Sequence, residues 1–394
     1  LLWGGSLLWD HLNPEPLRTG KAGPPPARLN PTVCLELSRF QGLRQVPIRL
    51  AGAWRVLRED GALLLEGTGF EGPLHLDPRG ALLGSWLIGT DRFTLVTEGD
   101  AAVRVADTTY RGVLRISIQR EGRAALPASF GLELDLPLED YVLGVVCGEM
   151  PTSSPGVQEA LRAQAVAART YALWRLAQDG RGRLHDDSRD QRFHGVDFET
   201  EAARKAVQST LGQVLTWAGR LLPAFYHADC GGQTADAGVF RFLADPVPPL
   251  AGVSDEDTCH AIAEWERIVS PQELDELAVS LGLGSWIRKL ASLERDASGR
   301  WILARVEGDR RGTEVPADSL AARFAAPSTR WTFLDSRPDG SLLVRGNGRG
   351  HGVGLCQNGA LIRARRGEKA AGILAHYYPG ARVRNVAELA IPLP

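Results

Sequence analysis

Glu149 is the residue whose position in the chain first suggests chemistry. Leu138, Tyr141, Val142, Val145 and Val146 recur at i, i+3, i+4, i+7 and i+8, which predicts one apolar face of a helix. Pro137 fits the first helical position, where a missing N–H costs nothing. Three residues further along that face stands Glu149, followed by Met150 and the breaker Pro151. A carboxyl that extends an apolar stripe is desolvated, and desolvation favours the neutral acid. General acid catalysis near neutral pH requires such a group. The competing reading is a helix that frays at Gly148 and leaves Glu149 in water.

A second helix is expected just downstream, with Ser154 as cap and Pro155 in the first turn. Its face is Val157, Leu161, Ala165, Ala168, Ala172 and Leu176, mostly alanine, so a neighbour can approach closely. Gln158 and Arg169 lie on one edge of the stripe, Gln164 and Tyr171 on the other. Such edges can line a groove, although an edge arginine can equally lie along the surface.

Two further stretches carry ligand-type residues. His227-x-x-Cys230 and Cys259-His260 put two imidazoles and two thiols in short blocks, an adequate set for a tetrahedral structural zinc. A Cys230–Cys259 disulfide and free thiols are the alternatives. Five cysteines leave an odd one for full pairing. Cys34 reads as a strand residue, and Cys147 and Cys356 as buried small hydrophobes or as a pair that approach each other. Five glycines surround His351 between Gly346 and Gly354, which predicts positive φ or close approach to a ligand. No Lys-Ser or Lys-Thr follows, and there is no βαβ context, so neither nucleotide fingerprint applies. With Gln357 and Asn358 next in the chain, the loop suits a hydroxyl-rich ligand better than a phosphate.

The elements that must hold these residues are of both kinds, and the expected class is α+β. At 394 residues the chain can form two or three domains, each with a core. A content of 44% hydrophobic and 23% charged residues is that of a soluble globular protein. A net charge of -2 provides no basic field for nucleic acid. No apolar run approaches the length of a membrane span. Residues 1–30 read as a Pro- and Gly-rich linker or a signal-peptide remnant. Residues 31–130 alternate apolar and polar residues in short runs (VCLELS, QVPIRLAG, WRVLRE, ALLLEGTG, FTLV, AAVRVAD, VLRISIQR), the mark of a β-rich domain with a structural or docking role. Residues 131–394 return to helices and hairpins, with a loop-rich insertion over about 236–335. A third helix is expected to end at Gly212, hairpins to turn at Ala218-Gly219-Arg220 and Ala297-Ser298-Gly299, and helices to cover PQELDELAVSLGL and Asp318 to Phe324.

The runs LEDYVLGVVCGEMP, EALRAQAVAARTYAL, FYHADCGGQT, GRGHGVGLCQNGA and HYYPG resemble, in this order, the SpoIID/LytB family of bacterial cell-wall proteins. The resemblance covers about Pro137 to Pro379. It implies a lytic transglycosylase that cuts peptidoglycan glycan strands and leaves 1,6-anhydro-muramoyl ends. Glu149 would be its acid, Arg169 would hold a substrate carboxylate or hydroxyl or orient Glu149, and Gln164, Tyr171, Tyr226, Gly350, His351, Gly352, Gly354 and Gln357 would line its groove. No cofactor is then required for catalysis. A hydrolytic glycosidase needs two carboxyl groups, and no second acid occupies a family motif near Glu149; Glu139 and Asp140 read as cap or surface residues. The resemblance also implies an exported, envelope location, and it allows a second reading as a non-catalytic wall binder that enhances or recruits an amidase. The family's usual Met-Ser-Gln is here Leu355-Cys356-Gln357. A zinc hydrolase built on His227, Cys230, Cys259 and His260 is disfavoured, since two Cys ligands without an open position suit a structural metal.

Overall fold

The computed structural model describes residues 31–98, 102–121, 126–179, 182–239, 243, 246–259 and 264–389. The expected linker and His260 lie outside them. The class is α+β, as the sequence predicts. The chain forms two compact units. The first takes in the described parts of Ala22–Ser154, Gln164–Val214 and Arg384–Pro394, and the second includes Pro155–Ala163 and Leu215–Val383.

Eleven strands of the first unit make one sheet. They are β1 (Thr32–Glu36), β2 (Gln45–Arg58), β3 (Leu63–Asp77), β4 (Gly80–Leu83), β5 (Trp86–Leu87), β6 (Arg92–Thr97), β7 (Val103–Val105), β8 (Thr108–Tyr110), β9 (Val113–Glu121), β10 (Leu126–Pro137) and β11 (Arg183–His185). The order is β11-β1-β10-β9-β6-β2-β3-β4-β5, with β7 paired to β2 and β8. Alternation buries Val46, Ile48, Leu50, Trp54 and Val56 on one face of β2. The runs QVPIRLAG and WRVLRE are therefore one strand rather than two. A register shift between Leu50 and Ala53 joins them, and Gly52 supplies its φ of +81°. β10 continues to Pro137 and hands the chain directly to the first helix.

That helix, α1 (Leu138–Glu149), buries the expected face of Leu138, Tyr141, Val142, Val145 and Val146. Pro137 is its cap, one residue earlier than expected, because its ψ of 143° is extended. At the other end Met150 is extended as well, since the residue before a proline is pushed out of the helical region. Gly144 and Gly148 let the segment around Arg192–His194 lie on α1, where an added Cβ would strike the Phe193 ring or the Arg192 carbonyl. Gly144→Ala should therefore cost about 1–3 kcal/mol of stability through overpacking. An unchanged denaturation midpoint would show that the segment moves aside freely.

Helix α2 (Gln158–Asp179) begins later than Ser154 and Pro155 suggest. Gly156 between them has a φ of +70°, which interrupts any helix. The expected stripe from Val157 to Leu176 is buried throughout. Helix α3 (Glu201–Ser209) starts at Thr200, whose side chain accepts the Ala203 N–H, and Gly212 follows its end with a φ of +67°.

The second unit contains α4 (Glu256–Cys259), α5 (Pro271–Ser280), α6 (Ala317–Arg323), α7 (Gln357–Arg365) and α8 (Ala370–Tyr377). Two three-stranded antiparallel sheets, one centred on Leu342–Gly346 and one on Trp301–Gly308, join α5 and α6 in a core that includes Leu277, Leu320, Phe324 and Trp331. Ser270 and Glu273 close a capping box at α5. Tyr226–His227 pairs in parallel with Leu355–Cys356, which brings two distant motifs side by side. Among the described residues no helix is long and apolar enough to cross a membrane.

Candidate functional site

Glu149 is the last residue of α1 and is half-buried. The carbonyl end of a helix opposes a negative charge there. The Arg192 N–H offsets part of that by donating to Glu149 Oε1 at 2.8 Å. Arg192 comes from the segment following β11, and how that segment is fixed decides how well Glu149 is aimed.

Asp190 ties the segment down. Its carboxylate accepts from Arg175 Nε at 2.8 Å, Tyr171 Oη at 3.2 Å and the His185 N–H at 3.0 Å, and it meets His185 Nδ1 at 2.7 Å. Next in the chain, the Gln191 amide oxygen accepts from buried Tyr141 Oη at 3.0 Å. Phe193 then stacks on Tyr141 with centroids 5.8 Å apart, and the His194 N–H donates to the Gly144 carbonyl at 3.1 Å. The other acids of the segment are also engaged: Asp186 accepts the Ser38 N–H at 2.9 Å and Asp187 pairs with Arg189 at 2.9 Å.

Burial alone would raise the Asp190 carboxyl, but Arg175 and His185 outweigh it and hold the group below the usual carboxylate range. A depressed value stabilises the fold fully above the unfolded carboxyl pKa, near about 4. The contribution is lost as pH falls through the lower folded value. Asp190→Asn should therefore flatten the acid limb of the stability curve and leave its alkaline limb alone, as read by melting temperature against pH. An acid limb as steep as in the parent chain would remove Asp190 from this role.

The expected groove residues of α2 are placed differently from the sequence reading. Arg169 is fully buried, and its guanidinium holds the Glu139 carboxylate through two bonds of 2.7 and 2.6 Å. It also donates to the Gln213 carbonyl at 3.1 Å. A side chain with no exposure cannot meet a glycan, so Arg169 supports the helix pair and Glu139 is its partner rather than a surface acid. Gln164 is also fully buried, and Tyr171 is 7% exposed with its hydroxyl on Asp190. Tyr171 thereby helps to hold the Asp190 segment that carries Arg192.

Glu149 belongs to the first unit, whereas Tyr226, Gly350, His351, Gly352, Gly354 and Gln357 belong to the second. Positive φ is confirmed at Gly348, Gly350, Gly352 and Gly354. The close approach that the glycines permit is to the protein itself. A Cβ on Gly352 would strike the Arg300 guanidinium, and one on Gly354 would strike the Phe225 carbonyl. Arg300 is 2% exposed and donates to the Gly350 carbonyl and the Cys230 carbonyl, each at 3.2 Å. Asp229 and Arg349 add two backbone bonds between the same segments. His351 stays exposed and accepts the Val353 N–H at Nδ1. Gln357 is buried and Tyr226 half-buried.

The ligand set predicted from His227, Cys230, Cys259 and His260 is revised. Cys230 and Cys259 do come together, but with Cys356 and Asp255, the four ligand atoms lying within 4.8 Å of one another. His227 stands outside this group, with Nδ1 hydrogen-bonded to the Val353 carbonyl at 3.1 Å. Burial pushes the His227 imidazole down to about 3. Cys147 belongs to the first unit and Cys356 to the second.

Residues 131–217 match the family model described as Stage II sporulation protein, a span that contains α1, the Asp190 segment and α3. This segment matches the SpoIID family, and the chain is similar to SpoIID/LytB proteins. Similar proteins include an uncharacterised protein of Brachyspira hyodysenteriae, 29% identical over 63% of this chain and 67% of its own length. Stage II sporulation protein D of Bacillus amyloliquefaciens is 27% identical over 63% of this chain and 74% of its own. The amidase enhancer of Bacillus subtilis is 27% identical over 61% of this chain, but the match spans only 40% of that longer relative. Within the SpoIID match, sequence reading identified Glu149 and missed Asp190, Gln191 and Phe193. Their spacing has no helical or strand period, and only the run of charges after β11 marked the segment.

Proposed function

We propose that this chain is a peptidoglycan lytic transglycosylase in which Glu149 is both acid and base. The observation that carries the reading is a half-buried carboxylate at the end of a helix, aimed by the Arg192 N–H. One carboxyl that serves as both acid and base suits a reaction that needs no activated water. Glu149 gives its proton to the glycosidic oxygen as the C1–O bond breaks. It then takes the proton of the muramoyl C6 hydroxyl as O6 bonds to C1, which closes a 1,6-anhydro ring. The carboxyl ends the cycle protonated, as it began. Arg169 supports α1 through Glu139, and Tyr171 holds the Arg192 segment through Asp190. The substrate is a cell-wall glycan strand, and such a protein works in the envelope. The decisive experiment digests purified glycan strands with the full chain and identifies the new ends by mass. Anhydro ends support the reading, and ordinary reducing ends would replace it with hydrolysis.

The amidase enhancer relative favours a second reading, a non-catalytic wall binder that acts through an amidase partner. Intact glycan strands after digestion, together with binding to whole wall and faster amidase turnover, would establish that reading instead.

A further inference from the structure

We propose that Cys230, Cys259, Cys356 and Asp255 form a structural site for one zinc ion, independent of glycan cleavage. Thiolates select zinc over magnesium or calcium. In a tetrahedral site with Zn–S bonds of about 2.3 Å, neighbouring ligand atoms sit about 3.8 Å apart. Cys259 Sγ lies 3.4 Å from Cys356 Sγ, and Cys230 Sγ lies 3.5 Å from Asp255 Oδ2. These separations are close to tetrahedral edges, so small movements suffice to admit the ion.

Two of the three sulfurs have surroundings suited to anionic sulfur, while Cys259 Sγ meets Asp229 Oδ2 at 3.3 Å. Backbone N–H groups point at two of the three sulfurs: Cys230 N at 3.3 Å and Gly359 N at 3.4 Å from Cys356 Sγ, and Gly232 N at 3.3 Å from Cys230 Sγ. Asp255 is oriented in turn by Tyr377 Oη at 2.6 Å and by Arg363 at 3.0 Å, the outer-shell arrangement that fixes a metal ligand. Three thiolates and a carboxylate would leave an excess of negative charge around a divalent ion. Arg363 on Asp255 and buried Arg300 on the Cys230 carbonyl offset it. All four ligand residues are buried to 1% exposure or less, which leaves no open position for substrate or water and makes the site structural.

The ligands come from three segments: the turn after Tyr226–His227, α4 with the residue before it, and the cap residue just before α7. An ion there would pin the glycine loop's neighbours much as a disulfide would, yet through three thiols at once. The test uses the full chain, kept reduced, with cobalt(II) as a spectroscopic stand-in for zinc. Expected are one bound metal per chain, a thiolate-to-cobalt charge-transfer band and tetrahedral ligand-field absorption. Cys259→Ser and Cys356→Ser should lose that signature. Tyr377→Phe, which spares all four ligands, should weaken the metal about 10- to 100-fold. His227→Gln should bind as the parent does. A reduced parent chain that gives no charge-transfer band overturns the proposal, whatever the variants do. So does loss of the metal in His227→Gln with retention in Cys356→Ser.

Discussion

Glu149→Gln keeps the fold and the affinity for glycan strands while cleavage falls by about 10²- to 10⁴-fold, the usual contribution of a positioned acid. The amide has nearly the same shape and still accepts the Arg192 N–H through its oxygen, the contact that positions the carboxylate at 2.8 Å. It has no proton acidic enough to release the leaving oxygen. The effect should therefore appear in kcat with little change in KM, because the lost interaction operates mainly in the transition state. Glycan digestion followed by mass measurement of the ends checks it. Cleavage near the parental rate in Glu149→Gln would remove this residue from the chemistry and leave the wall-binding reading in its place.

Arg169→Met is the second large effect, and it acts on stability. Removing one partner of a buried ion pair leaves the other charge without compensation, typically about 3–5 kcal/mol. Here the guanidinium is fully buried and the Glu139 side chain is 13% exposed, so little water can replace it. The Gln213 carbonyl loses its donor as well. Urea unfolding should show a lower midpoint. The double variant Glu139→Gln, Arg169→Met should recover part of the loss, since no buried charge is then stranded. A midpoint that stays in place while only KM rises would return Arg169 to the substrate.

Local periodicity made much of this fold legible. The α1 stripe of Leu138, Tyr141, Val142, Val145 and Val146 and the α2 stripe from Val157 to Leu176 were readable because a 3.6-residue repeat records which face is buried. Glu149 stood out by breaking the α1 pattern. Long-range partners leave no such record. Nothing near Arg169 in the chain points to Glu139, thirty positions away. Nothing around Cys259 points to Cys356, which is 97 positions distant and reads in isolation as a small hydrophobe. The glycines of the His351 loop announced a crowded backbone correctly but not what crowds it, because Arg300 lies in an unremarkable hairpin. The late start of α2 was hidden for a different reason: Ser154 and Pro155 are good opening residues, and only the left-handed Gly156 overrides them.

The position of β1 has a consequence for how the first unit is made. This strand pairs antiparallel with β10 and parallel with β11, and the Ser38 N–H is satisfied by Asp186, 148 positions later. Loop-closure entropy is met before such distant contacts repay it, so topologies of this kind fold slowly. As the chain emerges from synthesis, β1 has no neighbour until β10 appears. Its second edge stays bare until three residues of β11 follow. During that interval the bare edge is a template for intermolecular pairing. Chains cut short before Arg183 should therefore aggregate through β1, whereas those extended past Asp190 should close the sheet and stay monomeric.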